Sequence, residues 1–333
     1  MKIVIVTDAW FPQVNGVVTT LNFLKKELEK QDYQVDIIHP SLFRTSSFSI
    51  YPEISLAMNP WKVKNYINED MDYLHIATEG PLGLFARNFA IRNNIQFTTA
   101  IHTKFPEYLK KILFIPLSLT YGYLRWFHGQ AHKTLVNTNS QIEELASIGF
   151  KNLVLWSRAI DRNIFYPRKK LSNKDYLLYV GRISKEKNLE DFLNLDTSKH
   201  KIVVGSGPML NEYKKKYRTV EFVGPKFKNE LARYYSDASV FVFPSKTDTY
   251  GIVMIEALAC GTPVAAYPVT GPKDIVINEI NGYLHHDLLT AVSFAENINS
   301  KFCEESIESL SWSNVANTFL GTMIPARPTL ITT

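Results

Sequence analysis

The sequence predicts an α/β protein made of two doubly wound, Rossmann-like domains facing one another across a cleft. Three observations carry that expectation. Short β-branched apolar runs alternate with segments of helical period along nearly the whole chain. A polar, charged stretch at 168–175 interrupts the alternation once, which places a domain boundary near 168 and divides the chain into 1–168 and 169–333. The glycine- and charge-bearing motifs fall directly after strand candidates, where open parallel sheets bind ligands.

In the first domain the strand candidates are residues 3–7, 34–39, 73–78, 96–102, 134–137 and 153–156. Each is apolar without alternation, as suits strands buried on both faces. Helix candidates at 17–31, 83–93, 117–130 and 140–148 lie between them and imply right-handed βαβ units. The second domain repeats the pattern. Its strands are expected at 176–180, 201–204, 221–223, 240–243, 263–266 and 282–285, and its helices at 189–193, 209–217, 230–237, 252–260 and 288–298. A last helix is expected to pack back on the first domain.

Composition narrows the function. Apolar residues make up 45% and charged residues 21% of 333, with a mean hydropathy of −0.11, so no membrane-like character stands out. Two cysteines, Cys260 and Cys303, exclude a disulfide scaffold and a cysteine-rich zinc site. The net charge is +5, of which residues 1–168 carry +4. That mild excess fits an anionic substrate or an anionic membrane surface, and it is far from the basic stripe of a nucleic-acid binder. Residues 1–8 hold only a short apolar run before an acid, and no stretch reaches spanning length. The expectation is a cytoplasmic protein.

Five motifs carry chemistry. The first runs from Asp8 through Asn15-Gly16 into a helix; Gly16 would let a ligand approach helix N-terminal amides, or it is simply a turn glycine. No G-x-G-x-x-G follows the strand, so a dinucleotide fingerprint is missing. The second, His102-Thr-Lys104-Phe-Pro, ends a strand with an imidazole able to hydrogen-bond a hydroxyl, or with a structural histidine. The third, Gly181-Arg182 followed by Lys187-Asn188, offers a guanidinium fork and a point charge, a pair suited to a diphosphate. The fourth, Gly205-Ser-Gly207-Pro, either clears space for a ligand or makes a tight strand–helix turn. The fifth spans Asp248-Thr249-Tyr250-Gly251 to Glu256, two acids with seven residues between them. Gly251 puts bare backbone at a helix start, and a carboxylate at Glu256 could accept two neighbouring hydroxyls of a ribose or hexose. The same two acids also admit a glycosidase-like carboxylate pair.

In order and spacing, these five motifs resemble those of the family 4 glycosyltransferases of the GT-B fold, from Lys2 to about Leu320. The stretches around Tyr51, His75–Gly83, Leu124–His128 and Trp156–Asp161 are similar to a bacterial α-mannosyltransferase-like subgroup. The resemblance implies transfer of a hexose, of mannose or glucose type, from a GDP- or UDP-sugar to a hydroxyl of a glycolipid or glycan, with retained configuration, no metal and no other cofactor. Arg182 and Lys187 would hold the diphosphate and Glu256 the ribose hydroxyls. Asp248 and the amides of Thr249, Tyr250 and Gly251 would face the hexose. Gly16, Gly181, Gly205 and Gly207 would lie along the donor, and His102 near the reacting carbon. His102, Asp248, Arg182 and Lys187 are thus the catalytic candidates, and Asp8, Asn15, Glu79 and Lys104 the acceptor-side ones.

Two positions depart from the family pattern. Asp248 stands where it has Glu, and Ala159 where it has Gly; a positive φ there would strain alanine. Lys110, Lys111 and Arg125 flank the apolar stretch 112–123, which gives peripheral contact with an anionic membrane as a further expectation, against an ordinary buried helix. Nucleic acid is not an expected partner. A GT-B phosphorylase or nucleotide-sugar hydrolase, and a non-catalytic nucleotide-sugar-binding subunit, are the competing readings.

Overall fold

Two parallel sheets of six strands each organise the chain in the computed structural model. The structure describes all residues except 14, 49–50, 69, 103–105, 107–114, 170–174, 249 and 328–333. The chain divides into unit 1, Met1–Ser157 together with the chain from Trp312 on, and unit 2, Arg158–Ser311.

In unit 1 the strands β1 (Lys2–Val6), β2 (Gln34–Ile38), β5 (Tyr73–Ile76), β6 (Thr98–Ile101), β7 (Thr134–Val136) and β8 (Leu153–Leu155) run in the order β2-β1-β5-β6-β7-β8. β1 lies between β2 and β5, so the order reverses at β1/β5 and the loops after those two strands leave side by side. Helices α1 (Gly16–Glu29), α2 (Pro81–Arg92), α3 (Leu117–His128) and α4 (Asn139–Ser147) connect them. Val4, Val6, Leu74 and Ile76 pack with Leu82, Ala86 and Ala90 of α2. A hairpin of β3 (Thr45–Phe48) and β4 (Tyr51–Ala57) stands apart as a two-stranded sheet.

Unit 2 repeats the plan. Its order is β11-β10-β9-β12-β13-β14, from β9 (Tyr176–Val180), β10 (His200–Val204), β11 (Glu221–Gly224), β12 (Val240–Phe243), β13 (Val264–Ala266) and β14 (Gly282–Leu284). The reversal here falls at β9/β12. Alternate side chains of β9 divide between two cores. Leu178 and Val180 meet Met254, Ile255 and Leu258 of α8 (Ile252–Ala259), while Leu177 and Tyr179 meet Leu189 and Phe192 of α5 (Leu189–Leu193). The other helices of this unit are α6 (Leu210–Lys216), α7 (Lys228–Asp237), α9 (Pro272–Ile275), α10 (Leu288–Ala295) and α11 (Ser300–Glu305).

The strands lie where the sequence places them, within one or two residues at their ends. The boundary does not: it falls at 157/158 and not near 168, because Ile160 and Phe165 are buried in the core of unit 2. The terminal helix α12 (Trp312–Thr322) belongs to unit 1. There the Trp156 indole donates to Val315 O at 3.0 Å, Trp312 stacks on Phe23 with ring centres 4.7 Å apart, and Phe319 is fully buried beside His75. The hairpin, α9 and α11 have no counterpart at those positions in the sequence reading. Ala159 is buried outside the left-handed region, so its replacement of glycine brings no strain.

Candidate functional site

The reversal in unit 2 sets the geometry of the donor-side candidates, because β9 and β12 release their following loops from neighbouring carboxyl ends. The loop after β9 carries Gly181, Arg182 and a 3₁₀ turn over Lys185–Lys187; that after β12 carries Pro244 to Gly251. Lys187 Nζ donates to Asp248 Oδ1 at 2.5 Å, with side chains only 19% and 22% exposed. The second oxygen of Asp248 is buried and has no hydrogen-bond partner among the described residues. The shorter arm of aspartate therefore still reaches the motif lysine.

Backbone contacts hold the two loops in register. Asn188 adopts a left-handed conformation, φ 55°, that closes the 3₁₀ turn, and its side chain donates to Asp191 Oδ2 at 2.5 Å and to Pro244 O at 3.3 Å. Thr247 Oγ1 donates to Glu186 O at 3.2 Å. Asp191 also accepts from the Tyr267 hydroxyl at 2.6 Å and lies 3.5 Å from Lys246 Nζ. Asn188 was visible as the last residue of the Lys-Asn motif; Asp191, Thr247 and Tyr267 carry no local signal.

Glu256 lies on α8. The Tyr235 hydroxyl of α7 donates to its Oε2 at 2.9 Å. Tyr235 is itself fixed by an edge contact with Phe241 at 5.6 Å, and Thr262 Oγ1 donates to its carbonyl at 2.5 Å. Desolvation pushes the Glu256 carboxyl up to about 7, and the Tyr235 hydrogen bond partly offsets it. A carboxylate poised there can accept hydroxyl donors once ionised. Tyr235 orients that carboxylate and carries no local signal in the chain.

Several candidates are constrained by their surroundings. Tyr250 is buried in the core of unit 2, where burial raises its hydroxyl to about 12, so only its backbone is left for a ligand. Gly205 and Gly207 are required by backbone packing. A Cβ on Gly205 would stand 1.9 Å from Gly181 O, and one on Gly207 would stand 2.3 Å from Ile183 O. The tight-turn reading of that motif is the one these distances support. Gly251, with φ 84°, begins α8 against Phe243 and Met254. Thr249 and Lys104 lie outside the described residues, as do Lys110 and Lys111.

Unit 1 holds the remaining candidates. Asp8, expected on the acceptor side, serves as the cap of α2. Its carboxylate accepts from Leu82 N at 2.8 Å, Gly83 N at 3.3 Å and Thr78 Oγ1 at 2.8 Å. Burial raises its pKa from the ordinary carboxylate value while those three hydrogen bonds lower it. Asn15 likewise caps α1, accepting from Val17 N and Val18 N at 3.0 Å each, and Gly16 is the exposed first residue of that helix. Glu79 lies 3.3 Å from Nε2 of the buried His128, whose other ring nitrogen meets Thr99 Oγ1 at 2.9 Å. His102 follows β6, buried, with its ring centre 6.1 Å from that of Trp156. Arg125, expected to flank a membrane-facing stretch, donates to Ile148 O at 2.6 Å. Among the described residues no three His, Cys, Asp or Glu side chains gather as metal ligands, and no helix is long and apolar enough to cross a membrane.

Two Rossmann-like units, with Lys187 paired to Asp248 at the switch point of the second, have the architecture of the GT-B class. The comparisons with known proteins make this specific. The family described as Glycosyltransferase Family 4 matches residues 14–163, and Glycosyl transferases group 1 matches residues 161–314. The chain belongs to the family 4 glycosyltransferases. Among curated relatives, it is 26% identical to the alpha-monoglucosyldiacylglycerol synthase of Streptococcus pneumoniae, over 94% of this chain and 83% of that one. It is 24% identical to the GDP-mannose-dependent alpha-mannosyltransferase of Mycobacterium tuberculosis, over 96% of each. The sucrose-phosphate synthase of Thermosynechococcus elongatus shares the fold, with a TM-score of 0.79 at 19% identity over 96% of this chain and 97% of that chain.

Proposed function

We propose that the protein transfers a hexose, of mannose or glucose type, from a GDP- or UDP-sugar to a hydroxyl of a glycolipid or glycan. The observation that supports this reading is the Lys187–Asp248 ion pair between the two loops that leave the β9/β12 switch point, the first of which also carries Arg182. In this reading Arg182 and Lys187 neutralise the diphosphate as it departs, where a preorganised charge contributes most. Glu256, oriented by Tyr235, accepts the ribose hydroxyls. Asp248 and the amides following it grip the hexose, and His102 contacts it near the reacting carbon. Configuration is retained and the acceptor proton passes to the leaving phosphate, so positioning supplies much of the acceleration. The reaction needs no metal, and it takes place in the cytoplasm, at the inner face of the cell membrane where the acceptor is a lipid. Of the relatives, the glucosyldiacylglycerol synthase favours a lipid-linked acceptor, and beside it the GDP-mannose-dependent mannosyltransferase leaves two hexoses to choose between.

The test is a thermal-shift panel with UDP, GDP, ADP and their hexose conjugates, followed by turnover of the stabilising donor in excess EDTA. A ligand that binds only the folded chain raises its midpoint. One base should stand out, and transfer should persist in EDTA. No shift with any nucleotide would overturn the donor site, and activity restored only by Mg²⁺ or Mn²⁺ would overturn metal independence.

A further inference from the structure

Unit 1 contains a further concave site, lined by none of the candidate residues named above. Residues 40–44 leave the carboxyl end of β2, the end at which parallel sheets bind ligands. The chain makes the β3–β4 hairpin and returns through a 3₁₀ turn at Pro60–Asn65. Met58 N donates to Arg44 O at 2.7 Å, and Arg44 N to Asn59 Oδ1 at 3.0 Å, so the base of the hairpin fixes the two walls against each other. The Tyr66 ring packs on Phe43 with centres 5.5 Å apart. Between the walls lies an open cavity of about 460 Å³.

Its lining is unbalanced in charge. Arg44 comes from one wall and Lys62 from the other, with Asn59, Asn65 and Tyr66 between them and no carboxylate. Neither cation forms an ion pair with a carboxylate among the described residues. The carbonyl of Asn59 is spent on Arg44 N, which leaves its amide NH₂ as a donor. A guanidinium, an ammonium and amide donors around one space match an oxyanion. Adjoining this lining in the chain, Trp61 and Met58 are 53% and 59% exposed.

We propose that this cavity is an oxyanion site that grips the phosphate group of an acceptor through Arg44 and Lys62. The word acceptor rests on the transferase reading; anion binding by the cavity does not. The phosphate has two sources, a soluble sugar or glycerol phosphate and a phospholipid headgroup.

The experiment titrates the full-length chain with glycerol 3-phosphate, and separately with phosphatidylcholine vesicles with and without phosphatidylglycerol. Each titration is repeated on R44Q, K62Q and the charge-keeping R44K/K62R. Loss of one cation should weaken binding about tenfold, R44K/K62R should keep most of it, and affinity for UDP or GDP in unit 2 should not change. Binding of glycerol 3-phosphate identifies a soluble ligand; binding only of phosphatidylglycerol vesicles identifies a headgroup. If neither probe binds, or the glutamine variants bind as the parent does, the proposal fails. A joint loss of nucleotide binding marks a folding defect, and R44K/K62R then decides by retaining or losing the anion. Anion binding without hexose transfer would keep the site and discard the transferase reading.

Discussion

Lys187 and Asp248 form a 2.5 Å ion pair between the two loops that leave the switch point of unit 2. The same ammonium cannot serve Asp248 and a diphosphate at full strength, so the two compete for it. Asp248→Asn should therefore bind a bare nucleoside diphosphate up to about fivefold more tightly, the scale of a partly exposed ion pair. It should also lose hexose transfer by about 10²-fold, as expected for a group that acts on the reacting sugar. Calorimetry with the bare nucleotide and turnover with its sugar conjugate read the two effects separately. Parallel losses in both would show that Asp248 only supports the loop.

Glu256 makes the donor site sensitive to pH. Its carboxyl is raised to about 7 by burial, and ribose hydroxyls can donate only to its ionised form. Donor affinity should rise with pH through about 7, and Glu256→Gln should remove that dependence along with most of the affinity. The stability effect has the opposite sign. Between the ordinary carboxylate range and pH 7 the folded chain holds a proton that the unfolded chain releases, so this group's contribution falls as pH rises. Melting of the parent and Glu256→Gln across that range should diverge accordingly; parallel curves would remove the buried acid from the account.

Asp8 is expected to matter for stability more than for chemistry. It satisfies Leu82 N, Gly83 N and Thr78 Oγ1 at the start of α2. Asp8→Ala leaves those donors in a buried setting and should cost about 1–3 kcal/mol. Urea melts would show this, with KM for donor little changed in whatever remains folded. A variant of unchanged stability and a raised KM would return Asp8 to the ligand.

Gly205→Ala tests how closely the two loops of unit 2 are built. The new methyl would meet Gly181 O at 1.9 Å, and φ at this position is 140°. The backbone next to Arg182 has to move, so stability should fall by about 1–3 kcal/mol and donor affinity should fall with it. An affinity unchanged within error would show that Arg182 tolerates displacement of its loop.

Much of this was legible in order along the chain. Leu177–Val180 and Val240–Phe243 are uninterrupted apolar runs, the pattern that suits strands buried on both faces. Gly181-Arg182 and Asp248…Glu256 follow those strands, so the donor-side candidates could be named before any coordinates. The boundary was not legible, because the polar residues at 168–175 look like a linker while the change of core occurs earlier, at Ile160 and Phe165. Nor were the caps. Asp8 reads as a loop acid until Leu82, seventy-four residues on, is seen to donate to it.

The sequence by itself determined two doubly wound halves, the family, and which acids and cations lie in strand-end loops, because period and local spacing are properties of consecutive residues. Tertiary structure decided what each of those groups meets. It paired Lys187 with Asp248, set Tyr235 against Glu256, turned Asp8 into the cap of a helix more than seventy residues on, and left Arg44 and Lys62 around one open cavity. Those are contacts between residues far apart in the chain, and only the packing of the sheets and helices brings them within hydrogen-bonding distance.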